Sequence, residues 1–85
     1  LEIEKNPYNP ALKSLLGDYL DIFGQHQPAL EYYEAALELD PENAANYFKI
    51  GNLLFNLGNN QEAGKWVDQA IGLSPDYADL LDQLP

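Results

Sequence analysis

Residues 11–41 read ALKSLLGDYLDIFGQHQPALEYYEAALELDP, and residues 45–75 read ANYFKIGNLLFNLGNNQEAGKWVDQAIGLSP. Laid over one another at an offset of 34, they share nine identities: Ala11 with Ala45, Gly17 with Gly51, Leu20 with Leu54, Gly24 with Gly58, Gln27 with Gln61, Ala29 with Ala63, Ala36 with Ala70, Leu39 with Leu73 and Pro41 with Pro75. Chance gives roughly two in such a window, and a fixed period of this length marks a stack of repeats, each one a supersecondary unit. The shared residues are small, apolar, glycine or proline, the types that close packing and turns require.

Punctuation within each stretch predicts a helical hairpin. Asn9 followed by Pro10 reads as an N-cap with proline at the first helical position, and Gly24 as the left-handed residue that ends the helix, giving a first helix over about 10–23. Gln27-Pro28 opens a second to about Leu39, ended by Asp40-Pro41; Asn43 opens a third to about Leu57, ended by Gly58. Asn60 is expected to cap a fourth helix to about Leu73, and Ser74-Pro75-Asp76 to introduce a fifth from about Tyr77 to Leu84. Such short loops require successive helices to be antiparallel and in contact.

Glycine in mid-helix costs about 0.5–1 kcal/mol relative to alanine, so Gly17 and Gly51 make sense where another helix comes too close for a Cβ. Ala29 and Ala63 are the expected small residues opposite. Tyr33 with Ala36, and Val67 with Ala70, form the inward stripes of the second helices, and Pro41 and Pro75 break the chain between repeats. Gly64 and Gly72 stand where the preceding repeat has Leu30 and Glu38, weakening the fourth helix by about 1–2 kcal/mol in total. Trp66 is expected to pack.

These residues resemble the tetratricopeptide-repeat signature twice over: Leu16-Gly17, Leu20, Gly24, Ala29, Tyr33, Ala36 and Pro41, then Tyr47, Ile50-Gly51, Leu54, Gly58, Ala63, Val67, Ala70 and Pro75. The resemblance implies an all-α fold of antiparallel helix-turn-helix repeats stacked as a short right-handed α-solenoid. Repeats are expected at 10–43 and 44–77, with 1–9 as the tail of a preceding repeat and 78–85 as a partial or capping helix, so that the chain looks like a section of a longer array. Lys13 departs from the pattern, standing where the family usually has a large aromatic, so its helix is expected to be partly exposed there or its side chain to snorkel.

Four Lys+Arg against fourteen Asp+Glu give a net charge of −10, and the four lysines are scattered. A phosphate backbone or an anionic membrane is repelled by such a surface, whereas a basic or mixed-charge protein or peptide is attracted. With no cysteine there is neither a disulfide framework nor a thiolate zinc site. No apolar run approaches the roughly twenty residues of a membrane span. Leu1 to Asn6 is charged rather than signal-like, and the missing initiator Met suits a processed product or an excised piece. A soluble domain is expected, with the cytoplasm favoured and the compartment otherwise open.

Catalytic chemistry has little to stand on. His26, the sole histidine, lies between Gly24 and Pro28 and reads as an exposed turn residue rather than a general base. Ser14 and Ser74 have no evident histidine partner, the spaced ligands of a calcium loop are missing, and no glycine loop cradles phosphate. No catalytic residue, metal or cofactor is expected.

The resemblance implies instead that a peptide binds the concave face formed by the first helices. On the leading helix the stripe not used for packing is Ala11, Ser14, Asp18, Asp21 and Ile22; one repeat later it is Ala45, Phe48, Asn52, Phe55 and Asn56, with Asp79 and Asp82 in the same register beyond. Phe48 and Phe55, seven apart, offer apolar surface, and Asn52 and Asn56 offer donor and acceptor to an extended backbone. Asp18, Asp21, Asp79 and Asp82 favour a ligand carrying Lys or Arg. The plainer readings are that the phenylalanines contact a neighbouring helix and that the aspartates form a solvated face. Capture of a terminal carboxylate, which in some relatives uses lysine and asparagine here, is disfavoured by Ser14, Asp18 and Asp82. The rival role is self-association through the apolar ends of the stack, including Leu80, Leu81 and Leu84, giving a homo-oligomer.

Overall fold

The computed structural model describes residues 9–83, with side chains through Leu81. The expected tail at 1–9, apart from Asn9, together with Leu84 and the side chain of Asp82, lies outside these described residues. Within them the chain is all-α, with four α-helices: α1 (Pro10–Ile22), α2 (His26–Leu39), α3 (Ala44–Asn56) and α4 (Asn60–Leu73). A 3₁₀ helix follows over Pro75–Gln83. No strand occurs among the described residues. The fold divides into two compact units between Pro41 and Glu42. The first pairs α1 with α2; the second pairs α3 with α4, which in turn meets the 3₁₀ helix.

Caps and turns repeat with the sequence. The Asn9 Oδ1 accepts from the Ala11 and Leu12 amides at 2.8 and 3.4 Å, and the Asn43 Oδ1 from the Ala45 amide at 3.1 Å, satisfying donors that a helix start leaves open. At the other ends, Gly24 and Gly58 adopt φ of 79° and 87°, which a side chain disfavours. The residue after each glycine donates back into the helix, Gln25 to the Leu20 carbonyl at 2.7 Å and Asn59 to the Leu54 carbonyl at 2.9 Å. Two expectations need correction. Asn60 is the first residue of α4 rather than its cap, and neither Asn59 nor Gln25, at the N-caps of α4 and α2, makes a side-chain capping bond. His26 likewise belongs to α2 and is half-buried, instead of lying in an exposed turn.

The fifth helix, expected from about Tyr77, starts at Pro75 and is a 3₁₀ helix. Burial gives the reason. Three residues per turn bring positions i and i+3 into line, and Ser74, Tyr77 and Leu80 are half-buried while Asp76, Ala78, Asp79 and Leu81 are exposed. The carboxylates of Asp76 and Asp79 thus stay in water while Tyr77 packs on Phe48 of α3.

Within each unit a glycine sets the approach of the second helix. A Cβ on Gly17 would lie 2.6 Å from Tyr33 Cε1, and one on Gly51 would lie 2.6 Å from Val67 Cγ2 and 3.2 Å from the Ala63 carbonyl oxygen. Opposite them Ala29, Tyr33, Ala36, Ala63, Val67 and Ala70 are buried. Ile50 and Leu53, both fully buried, each contribute about 1.5–3 kcal/mol relative to exposure. Trp66 packs on Tyr47, ring centroids 5.8 Å apart and planes at 32°. In the same register of the first unit, Lys13 and Tyr32 line a cleft of 240 Å³ with Glu31 and Ala35, so the lysine leaves open a space that an aromatic pair fills one repeat later.

The glycines of α4 are different, because nothing lies within 4 Å of a Cβ on Gly64 or Gly72. Gly64→Ala and Gly72→Ala should each stabilise the chain by up to about 1 kcal/mol, raising the melting temperature by a few degrees, whereas Gly51→Ala should destabilise it by about 1–3 kcal/mol through overpacking. Thermal unfolding followed by circular dichroism checks the opposite signs.

Candidate functional site

The residues expected to meet a partner fall into both units, and each unit is described in its own frame. In the first, Asp18 and Asp21 lie on α1 and are half-buried. The buried Tyr33 hydroxyl donates to Asp18 Oδ1 at 2.7 Å. Asp21 Oδ1 lies 2.7 Å from His26 Nδ1, so an ionised carboxylate, which can only accept, requires that nitrogen to carry the proton. Both aspartates therefore tie α1 to α2, one across the interior and one across the turn. They are not the simple solvated face of the plainer reading, and the carboxylate oxygens that bond within the unit also help to orient it. Burial, with the Asp18 bond and the charges of Asp18 and Asp21, pushes the Tyr33 phenol far above its ordinary range.

In the second unit the strip runs along α3. Asn52 and Phe55 are half-buried and Asn56 is exposed. Phe48, also half-buried, faces Tyr77 with ring centroids 5.3 Å apart and planes at 43°, within the range of favourable tilted pairs. For Phe48 the contact with a neighbouring helix is the one observed, and it joins the strip to the 3₁₀ helix. No hydrogen bond engages the side-chain amide of Asn52 or Asn56 among the described residues. Asp79 is exposed on the 3₁₀ helix. A recess of 460 Å³ lies elsewhere, lined by residues 58–62 and Lys65 around the start of α4, where Lys65 and Glu62 form an exposed ion pair at 3.8 Å.

Sequence reasoning missed the two bonds of the aspartates and the role of Tyr77. The Asp18–Tyr33 pair spans fifteen residues, and only the antiparallel arrangement of α1 and α2 brings its members together. Tyr77 carried a usable signal, since Tyr77 and Leu80 share a face at three residues per turn. Exposed large apolar residues also stand on α1 at Leu15, Tyr19 and Ile22 and, just past its end, at Phe23; of these the expected strip contained Ile22 alone.

No helix among the described residues is long and apolar enough to cross a membrane. The family model described as tetratricopeptide repeat matches residues 6–78, most of the chain. No curated protein matches it.

The Tyr33–Asp18 bond generates a stability test. Tyr33→Phe should cost about 1–2 kcal/mol, because it removes a hydrogen bond to a part-buried carboxylate. Since the folded phenol resists ionisation, the unfolded chain loses its proton first, near pH 10, and stability should fall as pH rises above that value. Denaturant titrations from pH 8 to 11 should show a shallower alkaline loss in Tyr33→Phe than in the parent chain.

Proposed function

The chain belongs to the tetratricopeptide-repeat family, and on that premise we propose that it holds an extended segment of another protein along α3. Repeats of this family generally mediate protein–protein interaction and are typically non-catalytic. In the proposed complex the amides of Asn52 and Asn56 bond the backbone of the bound segment, while Phe55 and the Phe48–Tyr77 pair receive its apolar side chains. Repeats 10–43 and 44–77 would act together as one interaction module, and the alternative of an assembly scaffold would use the exposed apolar end at Leu81.

The observation that carries the reading is the contrast among asparagines. Asn9 and Asn43 are engaged in helix caps, whereas Asn52 and Asn56 lie on one face of α3 with no hydrogen bond among the described residues. An amide offers donors and an acceptor together, which suits a peptide backbone. The charge of −10 favours a basic or mixed-charge segment; Asp18, Asp21, Asp79 and Asp82 all contribute to it, Asp79 as an exposed carboxylate of the 3₁₀ helix. Such charges act chiefly on association rate and selectivity.

The test is fluorescence anisotropy with a labelled set of extended peptides carrying Lys or Arg beside apolar residues. Asn52→Ala with Asn56→Ala should weaken the tightest binder by about tenfold or more, as loss of two buried polar contacts at an interface does. Equal affinity of the parent and the double variant across the whole set would contradict the groove reading.

A further inference from the structure

We infer that the cleft between Lys13 and Tyr32 in the first unit receives a tryptophan or tyrosine side chain of a partner protein, carried on a segment with Lys or Arg beside it. The second unit shows what such a site fits. There α3 and α4 span 13 and 14 residues, as α1 and α2 do in the first, and each starts and stops in step with its counterpart at the offset of 34. Gly17 and Gly51 leave the same 2.6 Å between an added Cβ and the opposing side chain. Positions 13 and 32 therefore stand in the first unit where 47 and 66 stand in the second. Tyr47 and Trp66 are both half-buried, with ring centroids 5.8 Å apart. In the first unit the aromatic of the second helix is kept, as Tyr32, and the aromatic of the first is replaced by Lys13. Tyr32 is accordingly 37% exposed and lines the cleft of 240 Å³ with Lys13, Glu31 and Ala35.

Size and chemistry select the occupant. Pockets that enclose a whole small molecule hold about 300–1,000 Å³, so a cleft of 240 Å³ suits one side chain brought by a larger partner. The stem of the half-buried Lys13 and the ring of Tyr32 offer it apolar walls. A ring set between them stacks on Tyr32 and presents a π face to the lysine ammonium, two contacts that an aliphatic side chain does not make. The rim then chooses the flanks. Glu31 and Glu34 are exposed on α2, which carries no Lys or Arg, and no ion pair engages Glu31 or Lys13 among the described residues. A cation beside the aromatic pairs with Glu31, and the charge of −10 draws the same segment in. That charge also sets one copy of the chain against another.

The experiment titrates the isotope-labelled 85-residue chain with the tripeptide Lys-Trp-Lys, blocked at both ends, and follows backbone amide shifts by NMR. Saturable shifts should appear at residue 13 and at residues 31–35, with a Kd on the order of 1 mM, as one side chain alone provides. The controls Lys-Leu-Lys and Glu-Trp-Glu should each bind there about fivefold or more weakly. Lys13→Tyr fills the cleft with the ring found one repeat later. It should raise the melting temperature by a few degrees and weaken the tripeptide by about tenfold or more, a loss that unfolding does not explain. Tyr32→Ala removes the stacking wall and should weaken it about threefold or more, with helical circular dichroism unchanged. Shifts along α3 report the other strip separately. Absence of saturable shifts at 13 and 31–35, equal binding of either control, or unchanged affinity in both variants overturns the proposal. A Lys13→Tyr chain no more stable than the parent overturns it as well, because the cleft then does not match the ring. Binding of 3-methylindole as tight as that of the tripeptide would replace the protein segment by a small molecule, and a concentration-dependent dimer abolished by Lys13→Tyr would replace it by a second copy; either overturns the assignment.

Discussion

The absent Cβ at Gly17 and Gly51 lets the second helix of each unit come close to the first, and that distance governs what the neighbouring side chains reach. Tyr33 lies with its ring edge against the Gly17 backbone, and from there its hydroxyl extends to Asp18. Val67 occupies the matching position over Gly51, with the Ala63 carbonyl beside it. Glycine's mid-helix cost of about 0.5–1 kcal/mol is offset by burying the opposing side chain against bare backbone. The asparagine caps and the left-handed glycines then fix where α1 and α3 start and stop, so that the inward stripes meet in register.

Polar chemistry in the two units is distributed differently. In the first, the α1 carboxylates are engaged in bonds to Tyr33 and His26, and the side of α1 left to solvent is apolar. In the second, the side-chain amides of Asn52 and Asn56 have no such bonds among the described residues, and Phe48 of the strip is joined to Tyr77. A repeated backbone thus presents two unlike surfaces because the side chains outside the packing positions are not repeated.

The helices and their packing faces were legible in the sequence because glycine, proline and small residues repeat at one period and have few other uses in mid-helix. Asn9 and Asn43 announced their caps. The start of α4 was misplaced by one residue because Asn59 and Asn60 are equally good capping candidates and neither is distinguished by a bond. The 3₁₀ helix was hidden because the apolar pattern after Pro75 suits either helical period over so short a length. At the candidate site, the helical faces of Asn52, Phe55 and Asn56 could be read from spacing alone. The engagement of Asp18, Asp21 and Phe48 could not, since each partner lies on another element and is reached only after folding.

The central claim is that side chains lying on bare glycine backbone hold each helical pair together, and a double-mutant cycle on Gly51 and Val67 addresses it. Denaturant unfolding of the parent, Gly51→Ala, Val67→Ala and the double variant gives the coupling between the two positions. If the Val67 methyl lies where a Gly51 Cβ would go, removing it must relieve much of the damage of Gly51→Ala, and a coupling of about 1 kcal/mol or more is expected. Additive losses, within about 0.3–0.5 kcal/mol, would mean that the two residues do not meet and would contradict the account.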